Sequence, residues 1–218
     1  MIGTLLYGEF TPCYAVLEER HILEIKTLFP DVKLIFLARD MVDRAWSALL
    51  MELRNAVNGL DQGAFAQSDD KMNPKELERL NRESNPNKYD DDYFMDRLQH
   101  STHSSRSNYA KSLRLWLKHF SNDQLLILDY NDVSKKPREL ISSVCQHIGV
   151  DEKRTSTSLS DEKLSSRVNA AAGSIRHEIR PSLRKKMEEY LKPFAKDFNV
   201  LLTELGYNWK LKDYSNLE

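Results

Sequence analysis

Residues 30–58, PDVKLIFLARDMVDRAWSALLMELRNAVN, contain the change of pattern that decides the fold. The apolar run at 34–38 is too short for a helix and is bounded by charged residues, so it predicts a buried strand. An amphipathic segment with helical spacing begins at Met41, directly after Arg39 and Asp40. A strand that ends in an arginine just before a helix places a cation at the carboxyl edge of an α/β sheet, where ligands of such folds bind.

Arg39 and Ser47 are the candidate phosphate ligands of this stretch. A phosphate monoester binds well to a forked guanidinium donor, a hydroxyl donor and the positive end of a helix. All three occur here within one short segment, and Asp40 is a predicted N-cap for the helix. An alternative is equally open from the residues alone, in which Arg39 pairs with Asp40 or Asp43 and Ser47 is merely solvated.

Strand and helix patterns alternate along the chain, which predicts a layered α/β fold with a parallel sheet. Strands are expected at 1–7, 33–38 and 124–131. Helices are expected at 15–29, from Met41, at 105–120, between Pro137 and Gly149, and in two segments separated by Pro193. Aromatic residues such as Trp46, Tyr109 and Trp116 recur with aliphatic residues at helical spacing, which indicates core packing.

Residues 59–104 differ in composition from the rest of the chain. They are rich in Asp, Asn, Ser, Lys and Gln and contain few large apolar residues. Two short helices are predicted there, at 74–83 and 91–98. We interpret this stretch as a polar insertion in a single domain that spans 1–218, a surface excursion that lines an acceptor site or is mobile.

The composition argues against several classes of protein. A formal net charge of −1 and a pI near 6.6 disfavour sequence-independent nucleic-acid binding. The two cysteines lack CxxC spacing and the six histidines lack ligand spacing, so we expect reduced thiols and no metal site. No apolar run reaches membrane-spanning length, and residues 1–20 lack the layout of a signal peptide. We therefore expect a soluble, cytoplasmic protein, and its oligomeric state is left open.

Glu9 is a candidate general base. It follows Gly8 and precedes a Thr-Pro turn, after a possible strand. A carboxylate near the phosphate edge can remove a proton from an acceptor hydroxyl, which is typically worth ~10²–10⁴ in rate. The residue alone favours the alternative, a helix-capping or solvated glutamate. Arg167 and Asn169 lie in a polar stretch and are further candidate ligand contacts.

Three stretches of the chain, taken together, point to one family. They are GEFTPCY (8–14), KLIFLARDMVDRAWSALL (33–50) and YAKSLRLWLKHFSNDQLLILDYNDVSKKP (109–137). They are similar to the patterns G-E-K-S/T-P-x-Y, K-L/I-I-x-x-x-R-D/N-P-V-x-R-A-x-S, and Y-x-x-x-L-x-x-W-x-x-x-F followed by I-L-x-x-x-Y-E-D-L-x-x-x-P. The chain thus resembles the sulfotransferases that use 3′-phosphoadenosine 5′-phosphosulfate (PAPS), most closely the bacterial and heparan-sulfate-type members. The terminal LLTELGYNW also resembles the family's ending.

The resemblance implies a fold, a reaction and a set of site residues. The fold would be a three-layer α/β fold with a parallel sheet of the P-loop-like sulfotransferase type. The reaction would transfer a sulfonyl group from PAPS to a hydroxyl or amine acceptor (a carbohydrate, lipid or small molecule), leaving PAP and using no metal. By position, Glu9 becomes the base, and Arg39 and Ser47 become the ligands of the 3′-phosphate. Arg167 and Asn169 fall in the region of the family's late cofactor-binding loop.

Three positions depart from the family patterns. Met41 stands in place of a proline, Phe10 in place of a lysine and Asn131 in place of a glutamate. We expect Met41 to cost some rigidity of the loop and Asn131 to be a structural change. Phe10 removes any acceptor contact that the lysine would make.

The family also has a strand and a Lys-Gly-x-Thr loop ahead of the base, which cradle the 5′-phosphosulfate with backbone N–H groups. This sequence begins at Met1 without such a loop, so the resemblance predicts an N-terminally truncated version of the fold. Two explanations are open, a copy that lacks the loop or a short protein that holds the nucleotide by one end. The alternative function is therefore an inactive remnant, or a nucleotide-binding or interaction module, of the same fold.

Overall fold

Two parallel strands, β1 (Leu34–Ala38) and β2 (Leu125–Asp129), form the sheet in the part of the chain that the structure describes. The structure is a computed structural model, and it describes residues 7–57, 74–151, 160, 164 and 177–215. The strands predicted at 33–38 and 124–131 are confirmed, and so is their parallel pairing. The strand predicted at 1–7 lies, except for its last residue, outside the described residues.

The register of the two strands decides what lies at the edge of the sheet. Ala38 is opposite Asp129, and the backbone amide of Tyr130 donates to the Ala38 carbonyl at 2.8 Å. The pairing therefore continues to the last residue before the chain leaves each strand. As a result, Arg39 and Tyr130 emerge side by side at the carboxyl edge.

Helices surround this sheet. Those described are α1 (Glu19–Leu28), α2 (Met41–Val57), α3 (Pro74–Glu83), α4 (Asp91–Gln99), α5 (Ser101–Ser107), α6 (Tyr109–Leu117), α7 (Asp132–Lys135), α8 (Pro137–Ile148) and α9 (Pro181–Glu204). The helix expected at 15–29 begins later than predicted. A 3₁₀ turn at Pro12–Val16 comes first, and Leu17 is extended before α1 starts. None of the described helices combines the length and apolarity that crossing a lipid bilayer requires.

The start of α2 follows the sequence prediction. The Asp43 amide donates to Asp40 Oδ1 at 2.9 Å, so Asp40 is the N-cap. The apolar face of α2 lies in the main core, through Val42, Ala45, Trp46, Leu49 and Leu53.

Part of the predicted polar insertion belongs to the core. α3 and α4 lie where short helices were predicted, but Leu80, Phe94 and Leu98 are fully buried. α4 packs against α2 and α9. The description of this segment as a surface excursion is therefore wrong for α4, because a few well-spaced apolar residues are enough to bury one face of a short helix.

The helix predicted at 105–120 is two helices. Asn108 separates α5 from α6 and caps α6, because its side chain accepts from the Lys111 amide at 3.1 Å. α5 has no apolar stripe, and polar contacts hold it instead. His103 of α5 is buried and its Nε2 lies 2.5 Å from Glu52 Oε2 of α2.

α9 runs unbroken through Pro193, so the prediction of two segments is wrong. A proline inside a helix costs ~3 kcal/mol because it lacks an N–H and crowds the preceding turn. Each large apolar side chain that is fully buried contributes roughly 1.5–3 kcal/mol. The buried stripe of α9, which contacts α2, α4 and α6, therefore outweighs the proline. Its fully buried members are Leu183, Met187, Leu191, Ala195, Phe198 and Leu202.

The segment after α9 folds back across the molecule. Gly206, at φ +81°, allows the reversal. The Asn199 side chain then accepts from the Leu211 amide at 2.9 Å and donates to its carbonyl at 2.8 Å. This clamp carries the chain to Tyr214, which is buried against the start of α2.

Candidate functional site

Arg39 lies half-buried at the carboxyl edge of the sheet. Its guanidinium carbon is 5.2 Å from the centroid of the Tyr130 ring, which is a cation–π arrangement. Tyr130 was not singled out in the sequence. The parallel register, which places the residue after β1 beside the residue after β2, is the signal that identifies it.

The ion pair that was the alternative role for Arg39 is not formed. Asp40 uses its carboxylate elsewhere: Oδ1 accepts from the Asp43 amide and Oδ2 accepts from the Tyr214 hydroxyl at 3.1 Å. Asp43 pairs with Arg184, with 3.4 Å between Oδ1 and Nη2. Within the described ranges, the Arg39 side chain has no acidic partner, so its N–H donors are open to a ligand.

Ser47 lies in the second turn of α2 and is exposed. It is seven residues after Asp40 and three after Arg44, so these residues share one face of the helix. Its hydroxyl makes no hydrogen bond with the part of the chain that the structure describes. The structure therefore places Arg39 and Ser47 near the same end of α2 without joining them, and a ligand would have to bridge the two.

Two more arginines, missed by the sequence reasoning, surround this edge. Arg44 is partly buried and donates from Nη2 to Ser107 Oγ at 2.6 Å, and its buried Nε has no hydrogen-bond partner among the described residues. Burial is the main cause that lowers the pKa of Arg44, and the nearby charges of Arg106 and Arg39 lower it further, against the influence of Tyr109. Neither Arg44 nor Arg106 forms an ion pair within the described ranges.

Tyr109 connects this cluster to the strand. Its hydroxyl donates to the Arg39 carbonyl at 3.2 Å, and its ring is in the core, as predicted. Burial, as the largest cause, raises the pKa of Tyr109 to about 12, so the hydroxyl keeps its proton at physiological pH. The sequence indicated the packing role but contained no sign of the hydroxyl's partner, which lies 70 residues away.

Glu9 lies in an exposed turn that packs beside α5 and α6. Its Oε1 accepts from Thr11 Oγ1 at 3.0 Å and its Oε2 accepts from the Tyr14 hydroxyl at 2.8 Å. The hydrogen bond to Glu9 raises the pKa of Tyr14. The carboxylate is thus oriented by two hydroxyl donors while remaining accessible to solvent.

The turn is also tied to the arginine cluster. Arg106 Nη2 lies 4.0 Å from Cys13 Sγ, four residues after Glu9. The Trp116 indole donates to the Tyr14 carbonyl at 3.3 Å, which fixes the turn on α6. The structure therefore brings the turn that bears the candidate base next to Arg106, and Arg106 to within electrostatic reach of Arg44.

Two of the candidate ligands, Arg167 and Asn169, lie outside the described residues. Within the described ranges, no group of His, Cys, Asp and Glu side chains is arranged to hold a metal ion.

A parallel α/β sheet with an arginine at its carboxyl edge, without an acidic partner among the described residues, defines a class of protein suited to binding an anion at that edge. The chain belongs to the sulfotransferase domain family, whose model matches residues 19–199. That range includes Arg39, Ser47, Arg44 and Arg106 but begins after Glu9. The family match therefore covers these four residues and does not extend to the candidate base.

Comparison with solved structures points to the same fold. A sulfotransferase from Alicyclobacillus acidocaldarius is similar at 19% sequence identity with a TM-score of 0.51. The match covers 88% of this chain and 62% of that one, so this chain spans less than two thirds of the other's length. At this identity the likeness is one of fold. No curated protein matches the chain.

Proposed function

We propose that this chain is a PAPS-dependent sulfotransferase that transfers a sulfonyl group to a hydroxyl or amine acceptor. Arg39 and Ser47 bind the 3′-phosphate of the nucleotide, and Glu9 accepts the proton of the acceptor. The observation that carries the proposal is Arg39 at the sheet edge together with the neighbouring Arg44 and Arg106, none with an acidic partner within the described ranges.

A 3′-phosphate fits the donors at this edge. The Arg39 guanidinium lies over the Tyr130 ring and has no acidic partner within the described ranges, so its N–H groups are open to a forked contact with phosphate oxygens. Ser47 adds a hydroxyl donor. Arg44 contributes a partly buried positive charge, and the loss of water around a charge costs free energy unless an anion is close. A dianionic phosphate would satisfy this excess of positive charge.

Glu9 suits the role of base by its accessibility and orientation. PAPS, when bound, supplies the sulfonyl group and leaves as PAP. Glu9 takes the proton of the acceptor group while the oxygen or nitrogen atom of that acceptor bonds to sulfur. The hydroxyl donors of Thr11 and Tyr14 hold the Glu9 carboxylate in one orientation. The carboxylate is therefore positioned to take a proton before the sulfonyl acceptor binds.

The experiment is a thermal-shift titration with adenosine 3′,5′-bisphosphate (PAP). A concentration of 100 times Kd stabilises the folded protein by about 2.7 kcal/mol, which corresponds to roughly 5–10 °C in Tm for a chain of this size. Arg39→Ala removes a charged hydrogen bond worth ~1.5–3 kcal/mol, so we expect it to abolish most of the shift. Arg20→Ala is the matched control and should keep the full shift, because Arg20 is an exposed residue of α1 whose ion pair within the described ranges is with Glu18.

The titration separates the possible outcomes. An equal PAP shift in Arg39→Ala and in wild type would show that Arg39 does not bind the nucleotide. PAP binding without transfer from PAPS to any acceptor would support the alternative, a nucleotide-binding module or inactive remnant of the same fold. Absence of any PAP shift in the wild-type protein would contradict both.

A further inference from the structure

The buried hydroxyl of Tyr214, far along the chain from Arg39, lies at the turn that carries that arginine. We infer that Tyr214 is a positioning residue for the nucleotide site: it fixes the turn between β1 and α2 and thereby orients Arg39. The inference rests on the proposed function, because it assigns Tyr214 a role in holding a ligand of Arg39.

The contacts of Tyr214 converge on this turn. Its hydroxyl donates to Asp40 Oδ2 at 3.1 Å and accepts from the Val42 amide at 3.3 Å. The side chain is only 2% exposed. The Tyr109 hydroxyl holds the Arg39 carbonyl at 3.2 Å. Two tyrosines from distant parts of the sequence therefore hold the turn directly after the Arg39 side chain.

The backbone of Tyr214 is strained. It has φ +55°, the left-handed region, and is the one non-glycine residue with positive φ in the part of the chain that the structure describes. A bulky aromatic residue rarely adopts this conformation unless its surroundings impose it.

The residues around Tyr214 hold it in this conformation. The Asn199 side chain clamps the backbone of Leu211, three residues earlier. Lys212 Nζ lies 5.3 Å from the centroid of the Tyr214 ring and 2.8 Å from Glu188 Oε1 of α9. The segment that follows α9 is thus held against α9 before it reaches the turn, and it fixes Tyr214 relative to both α9 and the turn.

These contacts also determine which hydrogen-bond donors of the turn are available to a ligand. The Val42 amide is taken by Tyr214 and the Asp43 amide by Asp40. A phosphate at this edge therefore depends on side-chain donors, chiefly Arg39 and Ser47, whose placement follows from the geometry of the turn. A small displacement of the turn would move the Arg39 guanidinium relative to Ser47 and weaken a bridging ligand.

The test compares Tyr214→Phe with Tyr207→Phe by calorimetric titration with PAP. Both variants lose one hydroxyl that accepts a backbone N–H, since the Tyr207 hydroxyl accepts from the Ile127 amide at 2.9 Å. Tyr214→Phe also loses the hydrogen bond to Asp40, so both variants should lose stability, and Tyr214→Phe more. We expect Tyr214→Phe to raise the Kd for PAP about tenfold, because the turn loses both of its hydrogen bonds to this hydroxyl, and Tyr207→Phe to leave it unchanged. Equal Kd values in the two variants would overturn the positioning role.

A second measurement needs no substitution. Because coupling between two sites is reciprocal, PAP should tighten the Tyr214 contact as that contact tightens PAP binding. Hydrogen exchange at the Val42 amide should therefore slow further when PAP is added. Exchange that PAP leaves unchanged, with PAP shown to bind, would overturn the inference alone. Failure of PAP to bind the wild-type protein would overturn the proposed function, and the inference with it.

Discussion

The Arg39 guanidinium lies over the Tyr130 ring, with 5.2 Å from the guanidinium carbon to the ring centroid. An arginine presents several N–H donors in a fixed plane, whereas a lysine is a point charge. An arginine at the end of β1 can therefore contact the ring and still offer donors for a forked contact with a phosphate.

Glu9 is the side chain whose proposed role is easiest to separate from binding. We expect Glu9→Gln to retain the PAP-induced rise in Tm but to lose sulfonyl transfer by roughly 10²–10⁴-fold. Glutamine keeps the shape and an acceptor oxygen for Thr11 or Tyr14, yet it cannot take up a proton. Transfer is measured with radiolabelled PAPS against a panel of sugar, lipid and peptide hydroxyls.

The control for this variant is Glu24→Gln, which changes an exposed glutamate of α1 away from the turn. It should leave both PAP binding and transfer at their wild-type values. Loss of PAP binding in Glu9→Gln would place Glu9 in the structure of the site instead of its chemistry.

The site residues that were predicted are those identified by their neighbours in the sequence. The site residues that were not predicted depend on contacts between distant parts of the chain. Arg39 and the Asp40 cap are visible from their place between a strand and a helix. Tyr130 depends on the register of two strands that are distant in sequence. Tyr214 depends on a tail that returns across 174 residues to Asp40. No local pattern in the sequence indicates that a distant segment folds back onto this turn.

Helix ends were predicted well where a special backbone conformation demands one residue type. α8 was expected to stop at Gly149, and Gly149 has φ +72° with the Val150 amide donating to the Cys145 carbonyl at 2.9 Å. Breaks that depend on context were not predicted. Asn108 lies between two helices and ends the first. Pro193 does not interrupt α9, because the burial of apolar side chains on both sides of it stabilises the continuous helix.

The end of α8 allows a direct test of this account. An added Cβ at Gly149 would meet no atom within 4 Å, so the cost of a substitution there is one of backbone conformation alone. We expect Gly149→Ala to lower the free energy of unfolding by about 1–2 kcal/mol, the cost of a left-handed L-residue. Urea denaturation followed by circular dichroism measures the change.

Gly149→Asn is the matched variant, because asparagine tolerates the left-handed region better than alanine. It should lose less stability than Gly149→Ala. Equal losses in the two variants would mean that the left-handed conformation is not what makes glycine favourable at this position.

The architecture of the protein was predictable as a class, and its packing was not. Alternating strand and helix patterns and the resemblance to sulfotransferases both indicated a parallel α/β fold, and the family match confirms the family. The polar composition of 59–104 concealed Phe94 and Leu98, which are fully buried. The single domain spanning 1–218 stays a prediction. Composition averages over a segment, whereas a core needs only a few apolar residues at the right spacing.

The stability of the protein at alkaline pH should report on the tyrosines that hold the Arg39 turn. The pKa of Tyr109 is raised to about 12 from an ordinary 10, and burial raises that of Tyr214 as well. For a group whose pKa is raised by folding, the stabilisation is complete below the unfolded pKa and is lost as pH rises through the folded pKa. Stability should therefore fall between pH 10 and 12, as the unfolded state releases protons that the folded state retains.

Tyr109→Phe isolates this effect. The variant should be less stable at pH 8 by about 1 kcal/mol, since it loses the hydrogen bond to the Arg39 carbonyl. Above pH 10 its stability should fall less steeply than that of wild type, because Tyr109 alone contributes a slope of about 1.4 kcal/mol per pH unit. Lysines and the other tyrosines titrate in both proteins, so the difference between their urea-unfolding curves from pH 8 to 11.5 measures Tyr109. Parallel pH profiles would show that Tyr109 ionises as readily in the folded protein as in the unfolded chain, and that its hydroxyl does not hold the turn.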